Sequence, residues 1–361
     1  MNEEQKREEK KTGQQYLQEL FEEPVRSMAE IREALIERTQ RGGITLVVGA
    51  GVSVPRNVPN WENLAKTMWK TAFGEKQSPW EGGETSPKAL PQFLPIVFEL
   101  VYRKLGEEAF AEALRKNLYT KTVRYPRDDE KFESSSESLA VLGRLLIQEF
   151  EREQGRRIDA VITLNADELL EQAVITLVNR KAKGKYPGHP FHVIGMSTHR
   201  DLGRQKKRRI PIYHVHGFIP QRPGFFDFKY MLVFTDHQYW STSASALTFA
   251  NRIVSWALSE SCCVFVGLSM TDINLIRWLA LRALEFERDV TEAVESHDDA
   301  VGNILHTFSR HFWIRPRSAD PTGFLSWFMR LRGIESVGIG EWKGNTFQKL
   351  IEECFPRANN K

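Results

Sequence analysis

Apolar positions along this chain follow two rhythms. The first is short and dense. Ile44–Val48 (ITLVV) is almost wholly apolar and rich in β-branched residues, the pattern of a strand buried on both faces of a parallel sheet. Similar runs recur as DAVITLN, IYHVHGF, YMLVFT, CCVFVGLS and HTFSRHFWI. The second rhythm is helical. VRSMAEIREALIERTQRGG carries Met28, Ile31, Leu35 and Ile36 at helical spacing and stops at Gly42-Gly43. A helix capped by Asn60 turns Leu64, Ala65, Met68 and Trp69 inward. QFLPIVFELVYRKLGEEAFAEALRKNLY reads as one further helical stretch, and the polar PRDDEKFESSSES as a mobile linker. Strands alternating with helices predict an α/β fold with an open parallel sheet. The long helical interval after the first strand predicts an inserted helical subdomain, about residues 62–155, within a main domain over 26–361. Residues 1–25 form a highly charged arm with a thin apolar stripe of Tyr16, Leu17, Leu20 and Phe21.

Composition narrows the class. The chain has 361 residues, 41% hydrophobic and 27% charged, with a net charge of +3. No apolar run reaches the ~18 residues of a membrane helix, and the charged opening MNEEQKREEKK predicts no secretory signal. The three cysteines, Cys262, Cys263 and Cys354, make neither a disulfide framework nor a metal set, so a reducing cytoplasm is expected. The basic run RDLGRQKKRR, Arg200–Arg209, has no interleaved aromatics; it reads as a solvated loop, and direct nucleic-acid binding is not expected.

Four short stretches could carry chemistry. In GAGVS, Gly49 and Gly51 end a buried strand, where missing Cβ atoms let a phosphate approach backbone N–H donors; glycines there can equally be turn punctuation. The dehydrogenase fingerprint fails, since Val54 stands where its third glycine belongs, and no Gly-Lys-Ser/Thr follows. In VITLNADELLEQA, Thr163, Asn165 and Asp167 alternate at a strand end, although Asn165 with Glu168 also resembles a capping box. In PIYHVHGF, His214 and His216 alternate on one strand face. His216 beside Gly217 suits a general base, and His214 a core histidine with satisfied hydrogen bonds. In FVGLSMTDINLIRWL, Gly267 and Ser269 end another buried strand, and Asp272 or Thr271 caps the next helix.

The order of these four along the chain resembles the sirtuin-like (silent information regulator) family. It is most similar to the bacterial anti-phage branch, where GAGVS…P-x-W, T-x-N-x-D-x-L-L-E, H-x-H-G and G-x-S-x-x-D-x-N recur. The resemblance runs from about Ile44 to Leu279. It implies a Rossmann-like sheet binding NAD as substrate, and cleavage to nicotinamide and ADP-ribose that depletes NAD in defence against phage. Gly49, Ala50, Gly51 and Ser53 would hold the pyrophosphate. Asn165 would hold the nicotinamide ribose or its attacking water, and Asp167, with Thr163 beside it, the ribose or carboxamide. His216 would be the base; Gly267 and Ser269 would line the adenosine half, with Asp272 near. The resemblance also implies control by homo-oligomeric assembly, or by a HerA-type hexameric ATPase partner. Two departures stand out. The interval Phe218–Ser261 contains no cysteine, so the four-cysteine zinc module of deacetylating sirtuins is absent, no zinc is expected and deacylation loses its support. The family's arginine after the glycine loop has no equivalent, because Arg56 precedes Pro59-Asn60-Trp61. A non-catalytic NAD or ADP-ribose sensing scaffold is the alternative reading.

Overall fold

Ile44–Val48 forms strand β1 with all five residues buried, as its composition demands. The structure, a computed structural model, describes residues 12, 14, 15, 18, 26–75, 78–80, 93–182, 191–194, 209–222, 232–295, 311–342 and 345–357. Most of the 1–25 arm and the basic run through residue 208 lie outside the described residues. So do 230–231 of the expected YMLVFT strand and 306–310 of HTFSRHFWI.

β1 stands mid-sheet. With it pair β2 (Ile158–Thr163), β3 (Phe191–Ile194), β4 (Ile210–His214), β5 (Cys262–Val266), β6 (His311–Pro316) and β7 (Ile334–Ile339). All are parallel, in the order β3-β4-β2-β1-β5-β6-β7, which is an open Rossmann-like α/β sheet. β3 and β7 are additions to the expected set. YMLVFT, by contrast, makes no strand over its described residues. Thr235 is instead the N-cap of a helix, closing a capping box with Gln238, so the run before it serves as an irregular lead-in.

Eleven α-helices are described: α1 (Met28–Arg41), α2 (Trp61–Phe73), α3 (Phe93–Leu105), α4 (Glu107–Leu118), α5 (Ser138–Glu151), α6 (Leu169–Ala182), α7 (Asp236–Ser243), α8 (Phe249–Glu260), α9 (Ile273–Glu295), α10 (Phe324–Arg330) and α11 (Thr346–Cys354). Alternating strand side chains feed a core on each face of the sheet. Ile44, Leu46 and Val48 join residues of α1, α5, α6 and α11, while Val47 joins residues of α8 and α9. Between β1 and β2, helices α2, α3 and α4 pack on one another, whereas α5 packs on α6 against the sheet. The single helical stretch expected over 92–119 breaks in two at Gly106, whose φ of 79° no ordinary helical residue adopts. No helix among the described residues is long and apolar enough to cross a membrane.

The expected mobile linker is a packed element. Pro126–Asp128 and Phe132–Ser134 each form a 3₁₀ turn, and Phe132 is fully buried. Arg56, also fully buried, explains why. Its guanidinium lies 2.8 Å from Asp129 and 2.6 Å from Glu137, and 4.7 Å from the centre of the Phe132 ring. These are charge contacts rather than aligned hydrogen bonds. Partial exposure of both carboxylates lets water share the load, but among the described residues the arginine has no other counter-charge. Arg56→Met is therefore expected to cost about 2 kcal/mol of stability, read from the denaturation midpoint, because Asp129 and Glu137 lose their buried partner while water, and for Glu137 also Arg124 at 3.6 Å, take up part of the loss. A cost below about 1 kcal/mol would mean that the polar segment holds itself.

Candidate active site

Strand register brings the chemistry together. Val266, Val48, Thr163 and His214 lie in one row across β5, β1, β2 and β4. Each strand releases its distinctive residue within two positions of that row: Gly267, Gly49, Asn165 and His216. β1 and β5 are neighbours although long stretches of chain separate them, so their carboxyl ends mark the point where strand order switches. Open α/β sheets bind ligands in the crevice at that point.

The glycines have a structural duty there. Gly49 N–H donates to the Val266 carbonyl at 2.9 Å, and Gly51 N–H to the Gly267 carbonyl at 2.8 Å. A Cβ on Gly49 would lie 2.6 Å from the Gly267 carbonyl oxygen, and one on Gly51 2.8 Å from it. Their missing Cβ atoms thus let the β1 turn sit on the β5 turn. Of the two roles expected of them, phosphate access and turn punctuation, these contacts account for the second, and the Gly51 N–H is already engaged.

Beneath the turn lies a hydrogen-bonded web. Asn165 Nδ2 donates to the Gly49 carbonyl (3.2 Å) and the Ser53 hydroxyl (3.4 Å). A carbonyl acceptor at the first contact fixes the amide's orientation, which leaves Oδ1 buried without a partner. Thr163 Oγ1 accepts the Asn165 N–H at 3.0 Å. Asp167 Oδ1 accepts from the Ser53 hydroxyl at 3.1 Å and from the Leu169 N–H at 3.0 Å. Asp167, not Asn165, therefore serves the head of α6, and the capping box expected of Asn165 and Glu168 does not form. Burial pushes the Asp167 carboxyl up to about 6; Glu171 adds to this, against the Leu169 N–H and Ser53 hydroxyl bonds. His214 is the satisfied core histidine: Nδ1 meets the Asn165 carbonyl at 3.0 Å, and Nε2 meets Glu171 Oε1 at 2.7 Å.

A cavity of about 750 Å³ opens above this web. Gly49, Ala50, Gly51, Asn165, His216, Gly267, Ser269 and Asp272 all line it. Ser53, Thr163 and Asp167 do not; the structure places them behind the lining, where they hold Asn165 and the turn. Ser269 is exposed at the mouth, with its hydroxyl 2.7 Å from that of Thr271.

His216 is 1% exposed, and neither ring nitrogen has a hydrogen-bond partner. β4 ends at His214, so His216 sits in the following turn rather than sharing a strand face, and the two imidazoles have separate surroundings. Three aromatic rings surround it: Trp61 at 6.4 Å, Tyr239 at 5.5 Å and Trp278 at 6.4 Å between centroids. Burial lowers its pKa below the ordinary 6.5, and Asp272 opposes that pull. Asp272 Oδ1 lies 3.8 Å from His216 Nε2. The carboxylate is itself held by the Tyr239 hydroxyl at 2.9 Å and by the Leu275 N–H at 2.9 Å. Asp272, expected near an adenosine half, stands beside the histidine. At neutral pH this arrangement presents an uncharged imidazole, able to take a proton and then to share the charge with Asp272.

Reasoning from sequence missed Tyr239, which follows an ordinary helix cap and carries no motif. It also left Trp61 as a motif letter. Trp61 stacks on Phe234 at 4.9 Å and lines the cavity at the head of α2. The tight Asn60 cap, whose side chain accepts the Asn63 N–H at 2.9 Å, was the available signal.

No curated protein matches the chain. The model of the SIR2-like domain matches residues 159–318, less than half the chain. That span includes Thr163–Asp167, His216 and Gly267–Asp272 but not the Gly49–Ser53 turn. Match and parallel sheet together support a sirtuin-like fold, which suggests an NAD-related function.

Proposed function

We propose that the cavity binds NAD and cleaves its nicotinamide–ribose bond, releasing nicotinamide and ADP-ribose. One observation carries the reading: two buried polar groups, Asn165 Oδ1 and the His216 imidazole, lack partners and line a ligand-sized cavity at the sheet's switch point. An unpaired buried polar atom costs about 1–3 kcal/mol, so two in one cavity call for something that satisfies them. Cavities of about 300–1,000 Å³ suit small ligands and cofactors.

The bond to be broken has a cationic leaving group, so no acid is needed, and the sugar centre passes through an oxocarbenium-like state. The protein's tasks are to orient the ribose and activate what attacks. Asn165 Oδ1 is positioned to accept from a ribose hydroxyl or from water. His216 takes the proton of the water or of a ribose hydroxyl, and Asp272 stabilises the imidazolium that forms. Tyr239, whose pKa burial holds well above the ordinary value, stays protonated and keeps Asp272 in place. Defence against phage and control through homo-oligomers or a HerA-type ATPase follow from the motif resemblance, and cytoplasmic location from the cysteine usage; all belong to the same proposal.

Chromatography of NAD incubated with the protein is expected to show nicotinamide and ADP-ribose in equal amounts. A cyclised product would mean that a group of NAD itself attacks the sugar centre in place of water as nicotinamide leaves. The pH profile carries a second expectation. The neutral imidazole is the active form, and its folded pKa lies below 6.5. kcat/KM should therefore be level through neutral pH and fall only at a midpoint below 6.5. An acid limb centred above 6.5 would exclude His216 as the free-enzyme base.

A further inference from the structure

A second cavity, of about 360 Å³, shares no lining residue with the first. It follows one face of α6, where Glu168, Glu171, Gln172, Thr176 and Asn179 recur at three- and four-residue spacing. Ile175, Arg127, Arg180, Gln221 and Arg222 complete the lining.

Its floor is acidic and incompletely paired. Glu171 is 1% exposed and Glu168 5%. Each commits one oxygen: Glu171 Oε1 to His214, and Glu168 Oε1 to the Gln172 side-chain amide. Their Oε2 atoms, and Gln172 Oε1, are buried with no hydrogen-bond partner. Burial, then neighbouring Glu171 and Asp167, raise the Glu168 carboxyl, against the Gln172 bond and the nearby Gln221 backbone N–H, which does not align as a hydrogen bond to Oε2. Among the described residues no ion pair joins the arginines to this floor. Arg180 is held on the backbone carbonyls of Asp129 (2.8 Å) and Arg127 (3.4 Å), and Arg127 reaches the Gln221 side chain at 3.3 Å. Positive charge thus stands beside the cavity without neutralising it.

Three unpaired acceptors on residues of one lining call for a group with several N–H donors and positive charge. A guanidinium supplies five donors in a planar fork, more than an ammonium can present at once. Arginine side chains in the same lining favour an anion at the ligand's other end. We propose that this cavity binds a small zwitterion of arginine's kind. Its guanidinium meets Glu168, Glu171 and Gln172, and its carboxylate meets Arg127, Arg180 and Arg222. The occupant would also touch the scaffold of the first cavity, since Glu171 reaches the Asn165 carbonyl through His214. Binding itself stands independently of NAD cleavage.

Calorimetric titration of the full chain tests this with three probes: L-arginine, agmatine, which lacks the carboxylate, and L-citrulline, whose urea is a neutral counterpart of the guanidinium. L-arginine is expected to bind one-to-one with a Kd below ~1 mM, and the other two at least ~tenfold more weakly. Asn179→Trp, at an exposed position that can accept the ring, should fill the groove and abolish binding while leaving the melting temperature near that of the wild type. Glu168→Gln should weaken binding at least ~tenfold. A wild-type Kd above ~1 mM overturns the proposal, as does citrulline binding as tightly as arginine or affinity unchanged in both variants.

Discussion

Gly267→Ala is expected to cost about 3 kcal/mol of stability, while Gly74→Ala costs about 1 kcal/mol. The two glycines share a positive φ, of 69° and 73°. They differ in their surroundings. A Cβ on Gly267 would lie 2.9 Å from both the backbone nitrogen and Cγ1 of Val52, whereas nothing lies within 4 Å of one on Gly74. The positive φ alone accounts for the smaller cost. The excess at Gly267 measures how tightly the β1 and β5 turns are pressed together, because the obstructing atoms include backbone that cannot swing aside. Spreading those turns should also widen the cavity where Gly49 and Gly51 line it, so NAD affinity should fall in Gly267→Ala and not in Gly74→Ala. Equal stability costs in the two variants would show that the turns can part freely, and that the glycines are conformational punctuation only.

That contrast bears on how much could be read from sequence. The order of the four motifs and the β-branched runs were sufficient for the parallel sheet, and for placing Asn165, His216 and Gly267 at one edge, because parallel register converts similar strand ends into a shared rim. The depth of each side chain was not legible. Thr163, Ser53 and Asp167 sit behind the lining because a strand alternates faces and the turns fold back, and neither is visible in spacing. The capping role passed from Asn165 to Asp167 for the same reason: the Asn165 amide is drawn to the Gly49 carbonyl, which belongs to a distant stretch of chain. The polar 126–134 segment looked like a linker because its ordering agent, Arg56, is some seventy residues away in sequence. β3 is short, and β7 contains charged Glu335 and Gly338, so neither shows the dense apolar run of a central strand.

His216→Ala has the largest expected effect on chemistry. A positioned base contributes ~10²–10⁴-fold to rate, and no other buried imidazole lines the cavity among the described residues. His214 cannot substitute, since both its nitrogens are engaged by Asn165 and Glu171. The truncation leaves Asn165, the glycine turn and Trp61 untouched, so ground-state binding of NAD should persist. Rate and affinity therefore separate in this variant, and that separation distinguishes an NAD-cleaving site from one that only senses NAD.

The most direct measurement is nicotinamide release over time by wild type and His216→Ala, alone and with a HerA-type ATPase present, with NAD affinity determined on the same preparations. The account predicts that release falls ~10²–10⁴-fold in the variant while the Kd for NAD stays within about threefold. Release by His216→Ala within about tenfold of wild type, or NAD binding by both proteins with release by neither under any condition, would contradict it.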